Sequence, residues 1–113
     1  MGVIIQSKFQ KREGLLNMQY GTLVELHVIP GHEEKLLKHF KYEQELPEGG
    51  VAWFVMNPDE KDHWIGVGVF ESKEAYQANA SSPKQHEWYL KMVQHLSSEP
   101  VWIDGAYVIS QQS

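Results

Sequence analysis

The stretch Trp64–Pro100, WIGVGVFESKEAYQANASSPKQHEWYLKMVQHLSSEP, decides how this chain folds. Trp64, Gly66, Gly68 and Phe70 alternate with Ile65, Val67 and Val69, the period-two signature of a strand. Ser72 then stands where an N-cap is needed, with Glu74 in the first turn, where the helix dipole favours an acid. That helix stops at Ser81-Ser82. Ser82 starts a second one, with Pro83 at its first position and Gln85 placed to complete a capping box. Trp88, Tyr89, Met92, Val93 and Leu96 recur at helical spacing and give it one broad apolar face.

Working outward, a first strand is expected from Tyr20 to Ile29, with Val24, Leu26 and Val28 on one face and Leu23, Glu25, His27 and Ile29 on the other. Pro30-Gly31 ends it, and a helix is expected from about His32 to Leu46, its apolar stripe formed by Leu36, Leu37 and Phe40. Pro47 and Gly49-Gly50 stop that helix. A second strand, Val51 to Met56, is apolar on both faces, and the polar turn Asn57–Asp62 joins it to the Trp64 strand as an antiparallel hairpin. A last strand runs from Val101 to Ile109, with a bulge expected at Asp104-Gly105.

The order strand, helix, strand, strand, helix, strand is the α+β, ferredoxin-like βαββαβ pattern: a four-stranded antiparallel sheet with its helices on one face. The second sheet face ought to be polar in a monomer. Here it is not, because the second strand has no polar side. An apolar sheet face without a helix to cover it needs a partner, and a second copy closing sheet to sheet around a twofold axis is the simplest one.

At 113 residues the chain is long enough for one modest core. Residues 20–110 are expected to form that domain, and 1–19 an N-terminal arm. The arm is locally basic through Lys8, Lys11 and Arg12, and is expected to be loose, with Met18 as an alternative start; a short strand through Val3–Ile5 is the other reading. It carries neither a signal-peptide core nor the Ser or Thr that myristoylation needs, Gln6 standing there instead. The formal charge of −5, with acids scattered, argues against nucleic acid and against an anionic membrane surface. No run is long enough for a transmembrane helix, and the lack of cysteine excludes disulfides and thiolate chemistry and suits a cytoplasmic protein.

Two runs carry a resemblance. VELHVIPGHEEKLLKHF, Val24–Phe40, has a strand, a Pro-Gly turn and an acidic helix start. FESKEAYQANASSP, Phe70–Pro83, is followed by an amphipathic helix and the EPVW strand. Over Tyr20–Ile109 the chain resembles the antibiotic biosynthesis monooxygenase family of the dimeric α/β-barrel superfamily. The resemblance implies a homodimer, a cavity between the second helical region and the sheet, and a cofactor-independent monooxygenase acting on a small aromatic or quinol-like molecule; the alternative is a non-catalytic small-ligand-binding or stress-associated dimeric barrel. In such an enzyme the ionised substrate itself supplies the electron to dioxygen. There are departures. Many members carry histidines where this chain has Asn79 and Lys84. The haem-degrading branch uses Asn, Trp and His where this chain has Val24, Asn79 and Tyr89, which disfavours haem.

Candidate site residues follow. His86 and Asn79 flank the helix break, where the resemblance implies polar cavity residues; His86 is the candidate proton acceptor, or else a surface histidine. Glu25 and His27 share a strand face, and an imidazole beside a carboxylate can accept a proton near neutrality; a polar pair at the dimer seam is the other reading. Trp53, Trp64, Phe70 and Trp88 are candidates to line an aromatic pocket, or to fill the core. His32 and His39 share a helix face, and Lys35 and Lys38 around them suggest solvent. No metal-ligand spacing and no phosphate-cradling glycine loop precedes a helix, so neither a metal nor a nucleotide cofactor is expected.

Overall fold

The computed structural model describes residues 18–42 and 45–112, so the expectations for the arm up to Asn17 lie outside the described residues. The elements are β1 (Tyr20–Leu26), α1 (Glu33–Tyr42), β2 (Gly50–Met56), β3 (Trp64–Phe70), α2 (Lys73–Ala80), α3 (Pro83–Val93) and β4 (Val101–Ala106). The four strands form one sheet in the order β2-β3-β1-β4, every pair antiparallel. This is the ferredoxin-like arrangement, with the second helical region divided in two.

The cap chemistry explains the division. Ser72 Oγ accepts from the backbone N–H of Ala75 at the start of α2. Ser82 Oγ accepts from that of Gln85 at the start of α3, and Pro83 sits at its first turn. Between them Ser81 ends α2 with its N–H on the Gln77 carbonyl. At α1 the turn residue Gly31 has φ +94°, a conformation that side-chain-bearing residues rarely adopt, and its N–H donates to Glu33 Oε1 at 2.9 Å.

The core lies between the sheet and the helices. Val24 and Leu26 of β1 meet Leu36 of α1, Trp88 and Met92 of α3, and Leu96. Trp53 of β2 reaches this layer because β3 lays glycines beneath it: a Cβ at Gly66 would stand 2.8 Å from the Trp53 ring and 2.7 Å from Val24 Cγ1. The Gly66-x-Gly68 pattern is therefore a trough for an indole.

Four expectations need correction. The first strand ends at Leu26, not Ile29, because the chain beyond it pairs with the segment after α3: Val28 bridges Leu96, and Ile29 N–H donates to the His95 carbonyl. The first helix is described over Glu33–Tyr42, and Leu46 lies outside it. The last strand ends at Ala106 rather than Ile109, and no bulge interrupts it: Asp104 and Gly105 keep register with Thr22 and Gly21, and the irregular step lies in β2 between Gly50 and Ala52. And His39 is not solvated. It is 3% exposed, stacks on Trp88 at 5.1 Å, and lies with Nε2 3.0 Å from the Trp88 carbonyl, to which it donates. The buried stripe of α1 is thus Leu36, His39 and the half-buried Phe40, and Leu37 faces outward.

The sheet face away from the helices is apolar across its middle and open in the single chain. Register places Phe54, Val67, Leu23 and Ile103 in one row across all four strands. Phe54 and Ile103 are 62% and 56% exposed.

Candidate functional site

A cleft of about 600 Å³ opens between the sheet and the α2–α3 region. Its floor follows from strand register. Trp53, Gly68, Thr22 and Asp104 lie side by side across β2, β3, β1 and β4, and Gly68 in the middle leaves the floor low. Phe70 and Trp102 extend the sheet side, and Trp88 and Tyr89 of α3 form the opposite wall. Trp53 and Trp88 meet edge to face with centroids 6.2 Å apart. Both indole Nε1–H groups are buried without an acceptor among the described residues, each at a cost on the order of 1–3 kcal/mol.

Polar groups come from three elements. Tyr76 and Asn79 stand three apart on α2, hence on one face of it, and both line the cleft with His86 of α3 and Asp104 of β4. Tyr76 Oη donates to Asp104 Oδ1 at 2.8 Å. Burial, and then that hydrogen bond to a carboxylate, hold the Tyr76 phenol well above the usual tyrosine range, so it stays a donor at any ordinary pH. Thr22, almost fully buried, has its hydroxyl 3.3 Å from the Ile103 carbonyl.

Of the residues singled out by sequence, Asn79, His86, Trp53, Phe70 and Trp88 come together here, with His86 exposed at the rim. Trp64 and His27 do not. Trp64 pairs with Leu26 at the far end of β3 and packs against the core. His27 lies beyond β1, with Nε2 3.9 Å from Glu25 Oε1, and neither residue lines the cleft. Sequence reasoning passes over Tyr76 and Asp104, the polar pair of the cleft, and over Trp102. The three-residue spacing from Asn79 is the signal for Tyr76; alternation with Trp102 in an otherwise apolar strand is the signal for Asp104.

No protein-family model matches the chain, and no curated protein does. Solved structures match it over most of their length. A provisionally assigned antibiotic biosynthesis monooxygenase from Caulobacter crescentus is 15% identical with a TM-score of 0.67, over 86% of this chain and 97% of that one. The chain shares the α+β, ferredoxin-like fold of these structures. A protein of unknown function from Nitrosomonas europaea shares the fold at 20% identity and a TM-score of 0.69, covering 87% of this chain and 97% of its own. So does a dimeric ferredoxin-like protein of unknown function from Thermobifida fusca, at 9% identity and a TM-score of 0.65, over 80% and 92% of the two chains. At these identities the likeness is one of architecture, and it extends to proteins without an assigned activity. None of the described helices is long and apolar enough to cross a membrane.

Proposed function

We propose that the chain is a cofactor-independent monooxygenase that takes a small aromatic or quinol-like molecule into the cleft. The observation that supports this most is the composition of the cleft: aromatic walls from Trp53, Phe70, Trp88 and Trp102, with few polar groups converging from α2, α3 and β4. A flat ring fits between such walls, and its hydroxyl meets Asn79, His86 or the Tyr76–Asp104 pair. His86 is the proton acceptor in this reading. Tyr76 donates to one oxygen of Asp104, which leaves the other to accept from a second substrate hydroxyl.

Removing the hydroxyl proton leaves an electron-rich anion, which passes one electron to dioxygen. The two radicals join at carbon, and the hydroperoxide loses water to leave a carbonyl. One oxygen atom enters the product and the other leaves as water, with all electrons drawn from the substrate. A positioned acid–base group contributes about 10²–10⁴-fold to such a rate.

A second reading is a barrel that binds a small ligand without chemistry. Asn79 and Lys84, standing where the resembling enzymes carry histidines, favour it. Oxygen-electrode screening of chelator-treated protein against quinols, anthrones and catechols, beside tryptophan-fluorescence titration of the same compounds, separates the two. Oxygen uptake above the spontaneous rate supports the enzyme. Saturable quenching with no uptake supports the binding protein.

The working form in this reading is a homodimer. The row Phe54, Val67, Leu23 and Ile103 supports it, since an apolar row that crosses all four strands is costly to leave in water. The dimeric state of the Thermobifida fusca protein with the same fold supports it too. Sedimentation equilibrium at micromolar concentration ought to give twice the chain mass of 13.1 kDa, and a monomer at all concentrations would contradict it.

A further inference from the structure

The chain has six histidines, and four have evident positions in the structure. His32 and His95 face each other with Nδ1 atoms 3.1 Å apart, His39 is bonded to the Trp88 carbonyl, and His86 rims the cleft. His27 and His63 remain, and the sheet brings them together. Glu25 pairs with Ile65 and Leu26 with Trp64, so the same register continued by one step sets His27 opposite His63. Alternation puts Glu25, His27 and His63 on the sheet face away from the core residues Val24 and Leu26. The two imidazole rings lie 4.5 Å apart, tilted by 31°. Glu25 Oε1 stands 3.9 Å from His27 Nε2 and 3.8 Å from His63 Nε2.

We propose that Glu25, His27 and His63 form a binding site for a divalent transition-metal ion such as Zn²⁺, distinct from the cleft and with one coordination position left open. Two imidazoles and one carboxylate make a borderline-soft donor set that suits zinc and its neighbours rather than calcium or magnesium. One ligand atom from each residue lies within 4.8 Å of the others. In a tetrahedral shell with bonds of about 2.1 Å, ligand atoms stand roughly 3.4 Å apart. The two edges through Glu25 therefore need to contract by about half an ångström, within reach of side chains that are 41%, 36% and 13% exposed.

The fourth residue gives the arrangement its direction. Asp62 Oδ1 lies 3.2 Å from His63 Nδ1 and accepts a hydrogen bond from it, so in the tautomer that can bind a metal the Nε2 lone pair is turned toward Glu25. A carboxylate behind a ligating histidine is the usual way in which its tautomer and ring angle are held for a metal. His63 Nε2 and Glu25 Oε1 then face each other as two lone-pair atoms, too far apart to share a hydrogen bond and spaced for a common cation. A bound ion would tie the β2–β3 hairpin to the end of β1.

The test is calorimetric titration of the chelator-treated full chain with Zn²⁺ near neutral pH, repeated for Glu25→Gln, His27→Ala, His63→Ala and His95→Ala. The expected result is one ion per chain, with affinity weakened at least about tenfold by each of the first three substitutions and unchanged by the fourth. Circular dichroism checks each fold, and the near-isosteric Glu25→Gln keeps the test decisive if a histidine variant does not fold. Substitution of Co²⁺ adds a second readout, since a tetrahedral site gives intense visible absorption. No stoichiometric binding overturns the proposal. So does binding that survives all three substitutions, or binding lost in His95→Ala, which would place the ion at the His32–His95 pair.

Discussion

Tyr76 Oη donates to Asp104 Oδ1 at 2.8 Å and so ties α2 to the edge strand β4 beside the cleft. Burial and this bond together raise the proton affinity of Tyr76 in the folded state. An unfolded tyrosine ionises near pH 10, while the folded one keeps its proton. The stabilisation is complete below that pH and is lost as the pH climbs past it. Urea midpoints at about pH 8 and about pH 10.5 ought to show a decline in the wild type that is smaller in Tyr76→Phe.

His39 is the polar residue most deeply set in the core. Truncating it removes both the bond to the Trp88 carbonyl and the ring stacked on Trp88. His39→Ala ought to cost about 2–4 kcal/mol in denaturant unfolding followed by tryptophan fluorescence. A cost below about 0.5 kcal/mol would mean that the ring is not held there.

The two glycines under Trp53 differ. A methyl group at Gly66 would meet Trp53 at 2.8 Å and Val24 at 2.7 Å, whereas at Gly68 its nearest neighbours stand at 3.6 and 3.7 Å. Gly66→Ala is expected to destabilise by about 1–3 kcal/mol and to shift tryptophan emission. Gly68→Ala is expected to be tolerated in stability, while filling part of the cleft floor and weakening ring binding there.

His95 titrates below the ordinary histidine range, first through burial and then through the positive charges that His32, His39 and Lys35 present to it. The unfolded chain therefore binds more protons at this position than the folded one as the pH falls past about 6.5, and stability drops in that direction. The urea midpoint ought to fall from about pH 7.5 to about pH 5.5 in the wild type, and to fall less in His95→Gln.

What sequence can and cannot tell here divides along local and distant causes. Ser72, Ser82 and Pro83 act within one turn of their own helices, so the α2–α3 break is readable at the residue. β1 stops at Leu26 because Val28 and Ile29 pair with Leu96 and His95, partners far along the chain that no local pattern announces. Asp104-Gly105 reads as a bulge by propensity, yet Asp104 sits in register and turns toward Tyr76. His39 is masked by the lysines around it, although its three-residue step from Leu36 belongs to the buried stripe. His63 joins Glu25 and His27 only through sheet register.

The fate of dioxygen separates an oxygenase from a protein that only binds its ligand. Chelator-treated protein is given the best quinol or anthrone from the oxygen-uptake screen under ¹⁸O₂, and the product is weighed by mass spectrometry at short times. A monooxygenase gives one ¹⁸O atom per product molecule, with turnover lowered at least about tenfold in His86→Ala at unchanged dimer mass and melting temperature. A product without ¹⁸O, or no turnover above the spontaneous rate with any compound that binds the cleft, would contradict the monooxygenase reading.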